Sequence, residues 1–142
     1  MGLVYAEVRL TNAADLLEVK KHVIGEEEVR SMPINIMVDT GSLMLAINEN
    51  IQEYLGLPVW EQKGAILADG SRVICDVVGP VEVTFGNRIA RCYAYVLPGD
   101  AEPLLGALPL EEMDVMVHPL RNELIVNPKH PEGAFLSLRK IA

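Results

Sequence analysis

The stretch Ile36-Met37-Val38-Asp39-Thr40-Gly41-Ser42-Leu43-Met44-Leu45 decides how this chain is read. A carboxylate stands between two apolar runs. Taking such a group out of water is costly unless it is paired or hydrogen-bonded. The chain is therefore expected to bury Asp39 or to hold it in a cleft. Thr40 and Ser42 offer hydroxyls that can bond the loop or the carboxylate. Gly41 lets the backbone turn and approach closely. Taken alone, Asp-Thr-Gly-Ser is also an ordinary turn, because all four residue types favour turns. Its neighbours decide between the two.

Upstream, residues 29–38 read as a strand running into Asp39, and Pro33 within it implies an irregular start or an exposed edge. Residues 3–10 alternate loosely as a strand. Residues 15–24 fit a short helix or a strand, and Glu26-Glu27-Glu28 is a solvated turn. Downstream, Ile47, Ile51, Tyr54 and Leu55 share a helical face. Asn48 or Asn50 can cap that helix, and Gly56 with Pro58 ends it. Residues 65–74 then form a hairpin about Asp69-Gly70, and residues 81–96 a second about Gly86-Asn87. Leu104-Leu105-Gly106 is a short apolar run meeting a glycine. Pro109, Glu111 and Glu112 fit a short helix. Residues 114–117 and 123–126 read as closing strands, and 134–142 as a tail or a dimer-forming strand. The fold class is mainly β, with one or two short helices.

Bulk properties narrow the function. The 142 residues are half hydrophobic, which suits one compact domain: a core at 29–127, an N-terminal strand region at 1–28 and a tail at 128–142. A net charge of -8 disfavours nucleic acid and anionic membrane as partners. Nothing in the sequence reads as a transmembrane or secretory segment, so a cytoplasmic location is expected. Cys75 and Cys92 flank the second hairpin, where Cys75 would face position 98 and Cys92 position 81. That offset is about 20 Å along a strand, so two buried, reduced thiols are expected. His22, His118 and His130 lack metal-ligand spacing, and no phosphate loop, dinucleotide fingerprint or nucleophile–histidine pattern is present. No metal or cofactor is expected. Trp60 is expected to pack under the first hairpin as core.

One chemistry needs a carboxylate held this way. Two aspartates sharing a proton can activate a water against a peptide carbonyl, and at close range they cannot both ionise. Val38-Asp39-Thr40-Gly41-Ser42, the 65–74 hairpin, Leu104-Leu105-Gly106 and the short helix after it, in that order, resemble the retropepsin-like (retroviral-type, single-domain) aspartic peptidases over residues 29–127. The resemblance implies a closed β-barrel, the half of an acid protease. It implies Asp39 as the catalytic residue and Thr40 bonding its own copy across a dimer. Gly41 would position substrate backbone and Ser42 would bond the carboxylate. Ile66, Leu67, Ala68, Asp69 and Gly70 would form the flap that covers substrate, with Leu104, Leu105 and Gly106 beneath the catalytic loop. The flap tip, Ala68-Asp69-Gly70, is acidic where the viral enzymes are glycine-rich.

A two-lobed peptidase would need a second such motif. Leu67-Ala68-Asp69-Gly70-Ser71 lacks the hydroxyl residue between Asp and Gly and reads as a turn. The second carboxylate must then come from another copy of the chain. The expected function is a homodimeric aspartic endopeptidase acting on peptide or protein substrates. A silent peptide-binding or assembly module on the same fold is the alternative, and an unrelated small all-β domain the third reading.

Overall fold

The computed structural model describes residues 2–138. Nine strands and three helices follow in chain order: β1 (Val4–Asn12), α1 (Ala13–Lys20), β2 (Ser31–Val38), β3 (Leu45–Asn48), α2 (Glu49–Leu55), β4 (Val59–Ile66), β5 (Arg72–Phe85), β6 (Arg88–Leu97), β7 (Leu104–Leu105), α3 (Ala107–Met113), β8 (Val115–Val117) and β9 (Leu124–Val126). Glu26–Glu28 adds one 3-10 turn, exposed as expected. Of the segment 134–142, residues 134–138 carry no regular structure and 139–142 lie outside the described residues.

The mainly β expectation holds. Seven strands pair in the order β1-β2-β7-β3-β6-β5-β4, and β1 also pairs with β5. Six strands thus make a nearly closed ring, with β4 outside it. The length of β5 makes this possible. Its first half, Arg72 to Val78, pairs with β4, and its second half, Val81 to Thr84, pairs with β1 on the same edge. The change of partner falls at Gly79-Pro80, where the register with β6 also shifts. Gly79 has φ 142°, and a Cβ there would press on the Tyr93 ring at 3.0 Å, so glycine is needed. The two hairpins read separately in the sequence therefore share one strand. Cys92 faces Val81 as expected, whereas Cys75 faces Lys63 on β4. Both thiols are free, and Cys92 is only half-buried.

Strand alternation builds the core. In β1, Val4, Ala6, Val8 and Leu10 turn inward while Tyr5, Glu7 and Arg9 face out, the two-residue period of a pleat. They meet Ile36, Leu45, Ile47, Val81, Val83, Ala90, Ala94 and Leu105, all fully buried. Each large aliphatic buried this way contributes about 1.5–3 kcal/mol.

The ambiguous segment after β1 is a helix. Asn12 caps α1 by accepting from the Asp15 N–H at 3.1 Å and donates to Leu55 O at 2.9 Å. Asp15 is the buried residue of α1, held by Arg30 through its backbone N–H, Nε and Nη2. Asn48, not Asn50, caps α2, because it sits one residue ahead of the first turn and accepts from Ile51 N–H. Ile51 and Leu55 are buried, but Tyr54 stands 63% exposed. Trp60 is likewise no core residue. It is 62% exposed, donates from Nε1 to Gly79 O at 2.8 Å and meets Tyr93 edge-on. Pro33 lies where it was expected. The Asn12 N–H bonds Arg30 O, so ladder bonds fall on the pairs 10–32 and 8–34. Pro33, opposite Arg9, therefore faces away from β1 and removes no ladder bond.

The segment after β9 is tied back by Asp114. Its carboxylate accepts from Asn127 Nδ2 at 3.0 Å, His130 Nδ1 at 2.6 Å and Phe135 N–H at 3.1 Å. The Asn127, Phe135 and His130 bonds, in that order of weight, lower its carboxyl from the ordinary 3.8 to about 2. A carboxyl lowered on folding adds stability above its unfolded pKa and loses that stability as pH falls through the folded one. The contribution is complete above pH 4 and gone below about 2. Asp114→Asn should therefore be less stable than wild type at neutral pH, and the gap should narrow from pH 4 to 2. Thermal melts across that range check this. A gap of constant size would show that Asp114 carries no such linkage.

Candidate functional site

The site is built where β2 ends. β7 lies between β2 and β3: Met37 and Val38 pair in parallel with Leu104 and Leu105, and Leu45 and Ala46 pair antiparallel with the same two residues. Asp39 N–H continues this ladder by donating to Leu105 O at 3.0 Å. The chain from Asp39 to Met44 must cross over the end of β7 to reach β3.

Within the crossing, Ser42 N–H closes a turn onto Asp39 O at 3.1 Å. Both carboxylate oxygens of Asp39 are held: Gly41 N–H donates to Oδ1 and Ser42 Oγ–H to Oδ2, each at 3.0 Å. Asp39 is half-buried, while Thr40 and Gly41 are exposed. The hydroxyl of Ser42 thus does what the resemblance implied. The carboxylate is fixed in a single orientation at an open face of the molecule.

Gly106 supports the loop from below. An added Cβ there would lie 2.7 Å from Leu43 C and Met44 N, and closer still to Met44 O. α3 begins at once, with no side-chain cap. Its unsatisfied first-turn N–H groups bond the loop instead: Ala107 N–H to Ser42 O at 2.8 Å and Leu108 N–H to Leu43 O at 3.0 Å. Loop and helix start are one hydrogen-bonded unit. Asp39, Gly41, Ser42, Leu105 and Gly106 are therefore brought together, with Leu104 alongside in β7. The roles of Ala107, Leu108 and Met44 were not read from the sequence. They act through backbone atoms, which leave no side-chain signal.

The residues expected to form a flap, Ile66 to Gly70, stand apart from this cluster. Ile66 pairs with Arg72, so the loop is five residues, 67–71, and not a two-residue turn at Asp69-Gly70. Asp69 shapes it: its Oδ1 accepts from Ser71 N–H at 2.9 Å and Ser71 Oγ–H at 2.6 Å. Those bonds lower its carboxyl below the ordinary value. Gly70 N–H bonds Leu67 O, and Leu67 N–H bonds Ser71 O. Among the described residues no hydrogen bond joins this loop to the Asp39 loop. Ile66 and Ile74 are each 72% exposed. A shallow hollow of about 410 Å³ runs along Gly64, Ala65, Ile66, Arg72, Val73 and Ile74. A larger hollow, about 920 Å³, lies between α1 and the outer face of β1 and β5, and none of the expected site residues lines it.

Among the described residues no three His, Cys, Asp or Glu side chains are grouped to hold a metal. No helix among them is long and apolar enough to cross a membrane.

A family model described as aspartyl protease matches residues 26–108. The retroviral protease-like domain of Ddi1 from Leishmania major is similar in structure, with TM-score 0.52 and 15% identity, over 89% of this chain and 91% of that one. A retropepsin-like aspartic protease from Rickettsia conorii is 17% identical, with TM-score 0.45, over 83% of this chain and 89% of that one. No curated protein sequence matches.

The close approach at Gly106 makes a sharp prediction. Gly106→Ala must displace the Asp39 loop or the start of α3, and overpacking of this kind costs about 1–3 kcal/mol. Gly64→Ala, with nothing within 4 Å of the added Cβ, should change stability far less. Urea unfolding of the two variants checks this, and equal losses would mean that Gly106 does not support the loop.

Proposed function

The chain belongs to the aspartyl protease family, and from that premise we propose that it is an aspartic endopeptidase active as a homodimer. The observation that carries this reading is the Asp39 carboxylate. Both its oxygens are held by Gly41 and Ser42 at an open face. The reading treats residues 1–142 as one such domain.

Asp39 of each copy shares a single proton with the other, since two carboxylates at close range cannot both ionise. The ionised partner takes a proton from a water, whose oxygen attacks the peptide carbonyl carbon. The protonated partner donates to the carbonyl oxygen. Collapse of the tetrahedral species breaks the C–N bond, and the amine leaves with a proton returned by the pair. Gly41 and Ser42 keep each carboxylate in plane for this exchange. The 66–70 loop closes over an extended peptide strand lying across the face. Ile66, Leu67, Val73 and Leu104 favour apolar side chains in that strand. Two features support the need for a second copy. One chain supplies one such aspartate, and Leu43 within the Asp39 loop and Leu108 beside it stand 61% and 46% exposed.

Asp39→Asn should lower peptide cleavage by about a thousandfold or more, in the range expected for losing a general acid–base group. Ser42→Ala, which removes one hydrogen bond worth about 1–1.5 kcal/mol, should lower it about tenfold. Wild-type activity should follow a bell-shaped pH profile belonging to the pair. A peptide-library screen of the three proteins tests all of this. Cleavage unchanged in Asp39→Asn removes Asp39 from the chemistry. A wild type that binds peptides without cutting them is the non-catalytic module instead.

A further inference from the structure

The buried residue of α1 is Asp15, so the apolar residues of this helix do not serve the core. Ala13, Leu16 and Leu17, spaced by three and four, share one helical face and line the hollow of about 920 Å³ between α1 and the sheet. Leu17 is 50% exposed. Val29 and Pro80 extend the lining, which is mainly apolar. Its floor carries a short polar row. The hydroxyls of Thr11 and Ser31 bond each other at 2.9 Å, and Arg9 Nη1 donates to Ser31 Oγ at 3.0 Å. An apolar hollow of this size with a few polar groups has the character of a small-molecule pocket, about 300–1,000 Å³.

Shape narrows the occupant. α1 begins directly after Asn12, which pairs with Val81 of β5, and helix and strand come within 8 Å of each other between Cα atoms. A partner helix, about 10–12 Å across with its side chains, does not fit between them. An added strand needs an open backbone edge, and the floor here is the face of a paired sheet. A slim, flexible chain fits.

Charge narrows it further. The protein carries -8 overall, yet the lining holds three cations, Arg9, Lys20 and Arg91, against two acids, Glu26 and Glu82. Arg91 and Glu82 pair with each other at 3.0 Å. Arg9 and Lys20 have no acidic partner among the described residues. The bond to Ser31 orients the Arg9 guanidinium and uses one N–H of its fork, leaving others for a carboxylate.

We propose that this hollow binds a small amphipathic carboxylate, with an aliphatic chain along Leu16 and Leu17 and the head group on Arg9, Lys20 adding long-range attraction. The site is distinct from Asp39 and does not depend on a second copy of the chain.

Calorimetric titration with octanoate at neutral pH tests this, with far-UV circular dichroism as the check on folding. Wild type should bind octanoate saturably, with a negative heat-capacity change from apolar burial. Octan-1-ol, which has the chain without the charge, should bind at least fivefold more weakly, and octylammonium more weakly still. Arg9→Gln and Leu17→Asp should each weaken octanoate at least tenfold, and Lys20→Gln about twofold. Lys129→Gln, which removes an exposed cation elsewhere, should bind like wild type. So should Asp39→Asn, which separates this result from the fate of the peptidase reading. If Leu17→Asp loses its native spectrum, Leu17→Gln takes its place. No saturable binding by wild type overturns the proposal, as does octanol binding as tightly as octanoate or an Arg9→Gln affinity within twofold of wild type. A wild type that ignores octanoate but takes an acidic amphipathic peptide through Arg9 and Leu17 overturns it too, and makes the hollow a protein-docking site.

Discussion

β2 and β3 are consecutive in the chain but not neighbours in the sheet, because the two residues of β7 lie between them. The connection from Asp39 to Met44 therefore cannot be a tight hairpin. It has to arch over the end of an intervening strand, and the arch is tolerable only if the strand ends in a residue without a side chain. Gly106 meets that requirement. Its contact with Leu43 and Met44 sets the height of the loop. The N–H groups of Ala107 and Leu108 set its position. A carboxylate at such a place is presented at a strand terminus and is oriented by its own loop. Little of its geometry depends on side chains elsewhere in the molecule.

The long strand β5 joins a buried part of the molecule to an exposed one. From Val81 onward it is a ring strand between β1 and β6, with Val81 and Val83 fully buried. Before Val78 its partner on the other edge is β4, a strand exposed along nearly its whole length. The hairpin that would cover substrate is thus carried outward from the ring on a single strand, with few apolar contacts of its own. Segments of this kind open at low free-energy cost. On the proposed reading, a fixed carboxylate loop and a loosely packed cover suit a site that closes on an extended peptide.

The parts of the fold that were legible in the sequence are those written in local order. Asp39, Gly41 and Ser42 bond one another within four residues. Leu104-Leu105-Gly106 and the two hairpins each carry their own turn or period signal. What could not be read depends on partners distant in sequence. Periodicity placed Tyr54 on the face of Ile51 and Leu55, but it does not say where the core ends. Trp60 looked like core by type, yet its indole N–H finds Gly79 O and its ring finds Tyr93. α1 was ambiguous because its buried residue is Asp15, satisfied by Arg30, so it carries little apolar period. The 67–71 loop is five residues long and is shaped by Asp69 bonding Ser71, a detail that an Asp-Gly pair between strands conceals.

The edges of the sheet have a consequence for how copies of this chain can associate. Among the described residues β2 has no strand partner beyond β7 on its outer side, and its open backbone is a template for unwanted strand addition. Pro33 stands on that side without an N–H to offer, and Asn35, two residues on, is polar and exposed. The free edge of β4 carries Glu61, Gln62 and Lys63, all exposed. A protein that works as two copies, as proposed for this one, is always near the hazard of self-recognition in the wrong way, as a growing stack of strands. Here a proline and charged side chains at the backbone edges discourage such polymerisation.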